Sequence, residues 1–315
     1  MSKGASMKIA VMGSGGVGGF YGARLARAGA DVTFIARGAH LAAMRGHGLL
    51  IENEAQGDIH LPSVKATDDP ATIGTVDLVL VGVKLGALEA AIRAFRPVVG
   101  ADTAVLSLQN GVIKDDILRR EFGDRAVMGG VGYVGTHISR PGVIHQVGTL
   151  QRMIFGEYDG SRSQRAQTLL DFALKGGIDA QISDDIRRTL WEKYTFLVGL
   201  SGTTATMRKP FGEIRANPQT RAFFHDLMKE VVVVGRAHGV NLPENYADER
   251  LKFADTVPAD MSSSLAHDLE AGNPLEVEWL AGGVVKLGAA VNVPTPANRA
   301  VWDILALHAK GRDAR

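Results

Sequence analysis

Lys8-Ile9-Ala10-Val11-Met12 runs directly into Gly13-Ser14-Gly15-Gly16-Val17-Gly18. The first five residues form a short apolar run and read as a buried strand. The next six fit G-x-G-x-x-G, placed where a strand turns into a helix. Each glycine has a physical reason to stand there. Gly13 permits the tight turn, Gly15 has no side chain to hold a pyrophosphate off the backbone, and Gly18 lets the helix pack closely on the strand. The N–H groups that open the helix have no acceptor within it and face the phosphates. An apolar helix follows with Phe20, Leu25 and Ala28, and Gly29 closes it. Asp31 to Ala36 (DVTFIA) reads as a second strand. The whole is a β-α-β unit of about 30 residues, which points to a dinucleotide cofactor and so to redox chemistry.

The alternation continues outward. Arg37 to Gly48 predicts a helix, and 49–51 and 59–64 short strands. Val76 to Val83 (VDLVLVGV) is continuously apolar, as in a strand buried on both faces, and Lys84 follows at its carboxyl end. Thr103 to Leu108 is another strand, ending in Gln109-Asn110-Gly111. Residues 126–147 predict extended segments around a Pro141-Gly142 turn, 153–156 a strand, 163–175 a helix and 178–182 a last strand. From Asp184 strand signals almost vanish. Helices are expected over 184–206, 218–238, 244–256, 258–271, 275–290 and 296–310. The pattern predicts an α/β, Rossmann-type dinucleotide-binding domain over residues 7–184 and an all-helical domain for substrate and catalysis over 185–315.

Composition narrows the function classes. The chain has 315 residues with 45% apolar and 22% charged, enough for two packed domains. With a net charge of +1 nothing argues for a nucleic-acid or membrane surface, and neither partner is expected. The absence of cysteine excludes disulfides, thiolate catalysis and Cys-ligated zinc. The nine histidines show no metal-ligand spacing, so no metal is expected. No apolar run approaches the ~20 residues of a membrane span. The opening MSKGAS is polar and too short for a signal peptide, so a cytoplasmic location is expected. The long amphipathic helical faces permit a homodimer.

Several residues could carry chemistry. The second strand ends at Arg37, where NAD enzymes commonly place an acid for the ribose hydroxyl. An arginine there suits a 2′-phosphate, and so NADP; otherwise it is a solvated surface residue. Lys84 sits where open α/β sheets bind ligands, or is an ordinary surface lysine. Asn110 could bond a ribose or substrate oxygen, or serve turn chemistry with Gly111. Ile186, Leu190, Lys193 and Leu197 share one helical face, so Lys193 interrupts an apolar stripe. It either snorkels to the edge or faces a cleft as a general acid. Glu276 opens a helix, where the macrodipole favours it, and could pair with a lysine. Ser262, Ser263 and Ser264 either cap a helix or reach a substrate carboxylate.

In their order and spacing these features resemble the 2-dehydropantoate 2-reductase (ketopantoate reductase) family. The marks are K-I-A-V-M-G-S-G-G-V-G, Arg37, L-V-G-V-K ending at Lys84, Q-N-G at 109–111, L-W-E-K at 190–193, and S-S-L…L-E-V-E from Ser263 to Glu278. The resemblance implies NADPH-dependent reduction of a 2-oxo acid, 2-dehydropantoate to pantoate, in pantothenate biosynthesis. It implies that Gly13, Ser14, Gly15, Gly16, Val17 and Gly18 bind the pyrophosphate. Arg37 and Lys84 would hold the 2′-phosphate, and Asn110 the nicotinamide end and the substrate. Lys193 would be the catalytic proton donor, Glu276 the acidic residue that contacts cofactor and organises the catalytic site, and Ser264 a substrate contact. The family places asparagines one and two helical turns after the lysine, where this chain has Leu197 and Ser201, and another where it has Phe211. These departures leave room for a more apolar 2-oxo acid or ketone. A hydroxyacid dehydrogenase working in the oxidative direction, and an NADP(H) sensor without turnover, are the other readings.

Overall fold

The computed structural model describes residues 6–312. The chain divides into two compact units. The first runs up to Gln109 and resumes over Lys114–Ile186; the second joins Asn110–Ile113 to the chain from Arg187 onward.

In the first unit β1 (Lys8–Met12), α1 (Gly16–Arg27), β2 (Asp31–Ile35), α2 (Gly38–His47), β3 (Leu49–Glu52), β4 (Ile59–Leu61), β5 (Lys65–Thr67), β6 (Leu78–Val81) and α3 (Leu88–Phe95) come first. They are followed by β7 (Ala104–Ser107), α4 (Ile113–Phe122), β8 (Val127–Arg140), β9 (Val143–Gly156), α5 (Gln164–Lys175) and β10 (Asp179–Ile182). Strands lie parallel in the order β5-β2-β1-β6-β7-β8. The chain changes direction across the sheet between β1 and β6, the switch point at whose carboxyl ends open α/β sheets bind ligands. β9 returns antiparallel to β8 and pairs parallel with β3 and β10, and β4 closes that side on β3. The central strands are buried on both faces, which is why β6 reads LVLV and β7 AVLS, with every residue buried. Helix α1 lies close against the sheet through its glycines. A Cβ on Gly22 would stand 2.7 Å from the Phe34 ring, and one on Gly18 would collide with the Gly13 carbonyl.

The sequence reading breaks the extended region after Val147, but β8 and β9 are each 14 residues long. The register passes from Val134↔Gln151 to Gly135↔Val147, so 148–150 bulge out of the ladder. Gly148, at φ +67°, permits that bulge. Three-residue β5 pairs only with β2 and has too few apolar positions to signal a strand.

The second unit is built from α6 (Ile186–Met207), whose first residue belongs to the first unit, α7 (Phe211–Ala216), α8 (Pro218–Ala237), α9 (Tyr246–Phe253), α10 (Ser264–Ala271), α11 (Ala281–Ala290) and α12 (Pro296–Leu305). Helices α6 and α8 approach closely because Gly199 and Gly202 leave room. A Cβ on Gly199 would lie 2.8 Å from the Phe224 ring, and one on Gly202 3.1 Å from Leu227. The helix expected over 258–271 begins only at Ser264, because the Ser263 hydroxyl caps it by accepting from Ala266 N at 3.1 Å. The helix expected over 275–290 is interrupted. Glu276–Glu278 form one 3-10 turn, and the Leu280 carbonyl accepts from the Tyr194 hydroxyl at 2.7 Å. The helix expected over 296–310 leaves α geometry after Leu305. Among the described residues no helix is long and apolar enough to cross a membrane, and no cluster of three or more His, Asp or Glu could hold a metal ion.

Candidate active site

The first unit carries a cavity of about 280 Å³ at the carboxyl ends of β1, β2 and β6. Met12, Gly13, Gly15, Arg37, Val83 and Ile138 are among the residues lining it. The three motif glycines differ in what surrounds them. Gly13 stands at φ +91°, and a Cβ there would lie 2.7 Å from Val83 N. Gly18 has no room beside Gly13. Only at Gly15 would a Cβ meet open space, with Ile138 Cδ1 at 4.0 Å the nearest atom. Protein atoms therefore account for Gly13 and Gly18, whereas no described atom crowds the Cβ position of Gly15. No acidic residue stands in the first turn of α1 to oppose an anion. The cradle fits a pyrophosphate, and the apolar side chains of Ile35, Val83 and Ile138 fit an adenosine.

Arg37 caps α2 and lines the cavity with an exposed side chain. Lys84 is exposed just after β6 and is not among the lining residues. Ser14 lines the cavity, but its hydroxyl donates to Ile35 O at 3.1 Å and so ties β1 to β2. A Cβ on Gly16 would press on the Thr136 carbonyl at 2.6 Å, so the β8 backbone sits directly on the helix start. Sequence reasoning missed His40. It lines the same cavity, its Nε2 is 2.9 Å from Ser14 O, and its Nδ1 accepts from Gly142 N at 3.1 Å. Burial pushes the imidazole below its usual pKa, against the raising effect of the Ser14 carbonyl. Its place one turn into the helix behind Arg37 was the only local signal.

The second unit brings Lys193 to Asn110. Lys193 is half-buried on α6, and its Nζ donates to Asn110 Oδ1 at 2.9 Å. An amide oxygen orients the ammonium without cancelling its charge, and leaves the Asn110 NH₂ as a donor for a ligand. The neighbouring Tyr194 hydroxyl lies 2.7 Å from Leu280 O and 3.2 Å from Trp279 O. Gly283 admits that hydroxyl, since a Cβ there would lie 2.7 Å from it. Gly111, at φ +87°, sets the turn beside the Trp279 carbonyl. Tyr194 thus anchors to the lysine helix the turn that carries Glu276, which is half-buried and accepts the Trp279 and Leu280 N–H groups through its carbonyl.

Ser264 is the exposed first residue of α10, and the buried serine beside it, Ser263, bonds Thr204 Oγ1 at 2.7 Å. Ser201 is 1% exposed, and its hydroxyl has no hydrogen-bond partner among the described residues. Leu197, on the same face, is half-buried. Phe211 is fully buried, with ring centroids 4.9 Å from Phe224 and 6.3 Å from Phe196. It belongs to the aromatic core and not to a polar pocket.

Comparison with known proteins places the family. Residues 9–160 match the model of ketopantoate reductase PanE/ApbA, and 185–309 match its C-terminal domain. A 2-dehydropantoate 2-reductase of Mesorhizobium japonicum is 32% identical over 94% of this chain and 95% of its own. The crystal structure of 2-dehydropantoate 2-reductase from Geobacter metallireducens superposes with a TM-score of 0.88 at 32% identity, covering 96% of this chain and 99% of that one. A PanE/ApbA family ketopantoate reductase from Ralstonia eutropha gives 0.86 at 34% identity, covering 96% and 98%. The chain belongs to the ketopantoate reductase family of NADP-dependent oxidoreductases acting on CH–OH groups.

Proposed function

We infer that this chain reduces 2-dehydropantoate or a related 2-oxo acid to the 2-hydroxy acid with NADPH. The observation that carries the reading is the ammonium of Lys193 held at 2.9 Å by the Asn110 amide, in a chain that also builds a phosphate cradle at Gly15. NADPH, when bound, supplies the hydride that adds to C2. Gly13 to Gly18 hold the pyrophosphate through the opening N–H groups of α1, and Arg37, aided by Lys84, holds the 2′-phosphate. Lys193 stabilises the charge that develops on the ketone oxygen and then protonates it. Asn110 keeps the ammonium aimed and donates to cofactor or substrate. Glu276 organises the site around the lysine, and Ser201 and Ser264 are the substrate contacts.

A more apolar 2-oxo acid is a second reading, favoured by Leu197 on the lysine face and by the retreat of Phe211 into the core. NADPH oxidation followed by absorbance across a panel of 2-oxo acids decides between them. A preference for ketopantoate supports the first, one for apolar side chains the second, and turnover of none sinks both. A cytoplasmic homodimer that binds no nucleic acid completes the proposal. The net charge of +1 and the exposed Ile304 and Leu307 of the last helical segment support it, and light scattering tests the dimer.

Two variants probe the cofactor end. In Arg37→Ala, NADPH affinity falls about tenfold, the worth of one hydrogen bond to a charged group, and NADH affinity stays. Equal loss for both cofactors would contradict a 2′-phosphate contact. In Gly15→Ala the new Cβ enters space that the protein leaves open, so thermal stability changes little beyond the small cost of alanine at the N-cap of α1. Affinity for NADPH and NADH drops together, by about 10- to 100-fold. Fluorescence titration measures both.

A further inference from the structure

His40 reaches two segments that sequence keeps far apart. Its Nε2 meets the carbonyl of Ser14 in the glycine loop, 26 positions away, and its Nδ1 takes the N–H of Gly142, 102 positions away, at the turn between β8 and β9. Gly142 stands at φ +78° and packs on α2, where its Cβ position lies 3.0 Å from Ala43 Cβ. The same hairpin presses the Thr136 backbone on Gly16 and sends Ile138 into the cavity wall. One tautomer alone satisfies both contacts: neutral, with the proton on Nε2 and the lone pair on Nδ1. The described chain has no cis peptide bond, so the Ser14 C=O and the Gly15 N–H point in opposite directions. Fixing the carbonyl on His40 therefore fixes where the Gly15 N–H points, at the one motif glycine that faces open space.

We propose that His40 is a positioning residue of the cofactor site, whose imidazole ties the Ser14–Gly15 peptide to the β8–β9 turn and so holds loop and hairpin in the shape that receives the dinucleotide's phosphates. The inference rests on the NADPH reading above. Both ring nitrogens are occupied by backbone, so His40 acts through the loop and makes no hydrogen bond to the cofactor itself. The pyrophosphate is common to NADPH and NADH, which separates this role from that of Arg37.

The test compares His40→Ala, His40→Gln and His40→Asn with the wild type, reading Kd for NADPH and NADH by fluorescence and KM and kcat for NADPH. The Gln amide can still donate to Ser14 O, and the Asn oxygen can still accept from Gly142 N. In the alanine variant both affinities fall by the same factor, about tenfold. KM rises with them, kcat stays within about twofold, and Gln restores more than half of the lost binding free energy. Nitrogen-15 NMR of the free wild type shows the Nε2–H tautomer. Unchanged affinities, a loss confined to NADPH, a fall in kcat at constant KM, or an Nδ1–H tautomer would overturn the tie while leaving the cofactor reading intact. If the wild type binds neither dinucleotide, the cofactor reading fails and takes the tie with it.

Discussion

Replacing Lys193 by alanine lowers kcat for NADPH-dependent ketoacid reduction by about 10²- to 10⁴-fold, the usual contribution of a positioned general acid. NADPH affinity stays within about threefold of the wild type. The asymmetry follows from where the charge develops. The ketone is neutral in the ground state, so the ammonium does little for substrate binding; in the transition state it faces an oxyanion. The loss therefore falls on kcat and kcat/KM together. Lys193→Arg keeps the charge but not the compact ammonium geometry that Asn110 Oδ1 orients at 2.9 Å, and recovers only part of the rate. Asn110→Ala removes the aim and not the acid, so its loss in kcat is smaller, and in kcat the double variant is no worse than Lys193→Ala alone, whereas KM also rises with the lost Asn110 donor. Steady-state and single-turnover kinetics check all three. Wild-type rates in Lys193→Ala would remove this lysine from the mechanism.

What the sequence disclosed depended on how local each feature is. The glycine loop is contiguous, so the spacing of Gly13, Gly15 and Gly18 announced the strand, the turn and the helix together. Arg37 stood out because it follows β2 by two residues, and Lys193 because it interrupts an apolar helical face. The structure adds the partner that gives the lysine its direction, 83 positions away in sequence. His40 was hidden for the same reason, since neither of its partners lies near it in the chain. The β8–β9 bulge depends on cross-strand register, which no single segment encodes. Phe211 shows what the departure from the family's asparagine becomes in three dimensions. In the place of a polar contact, its ring packs among Phe196 and Phe224, because an aromatic side chain there gains more from burial than from facing a polar pocket. At Ser263 and Ser264 one position decides between cap and exposed surface, a resolution that helix-start patterns do not reach.

Lys114→Met destabilises the first unit by about 3–5 kcal/mol, the cost of breaking a buried ion pair from one side. Lys114 is fully buried, and its three donors meet Ser107 O at 2.9 Å, Asp115 Oδ1 at 2.9 Å and Gly130 O at 3.2 Å. Asp115 takes a further bond from the Tyr158 hydroxyl at 2.7 Å. One ammonium thus joins the end of β7, β8 and α4. The end of β7 matters for function: the Ser107 hydroxyl donates to Gln109 Oε1, Gln109 Nε2 donates to Val83 O, and Asn110 follows. Burial pushes the Lys114 pKa down and the Asp115 pKa up, each opposed by the partner's charge. Methionine removes the opposing charge from Asp115, whose folded pKa then rises further above the unfolded value of 3.8. The folded variant binds a proton that the unfolded chain releases, so its stability falls as pH rises above that value. The deficit against wild type is therefore larger at pH of about 8 than at about 5. Lys114→Met combined with Asp115→Leu removes both charges and recovers part of the loss, because no unpaired ion remains although Ser107 O, Gly130 O and the Tyr158 hydroxyl still lose a partner. Calorimetric unfolding of the single and double variants across that pH range measures the effect. A pH-independent deficit, or a double variant no better than the single one, would mean that the pair is not what holds the end of β7.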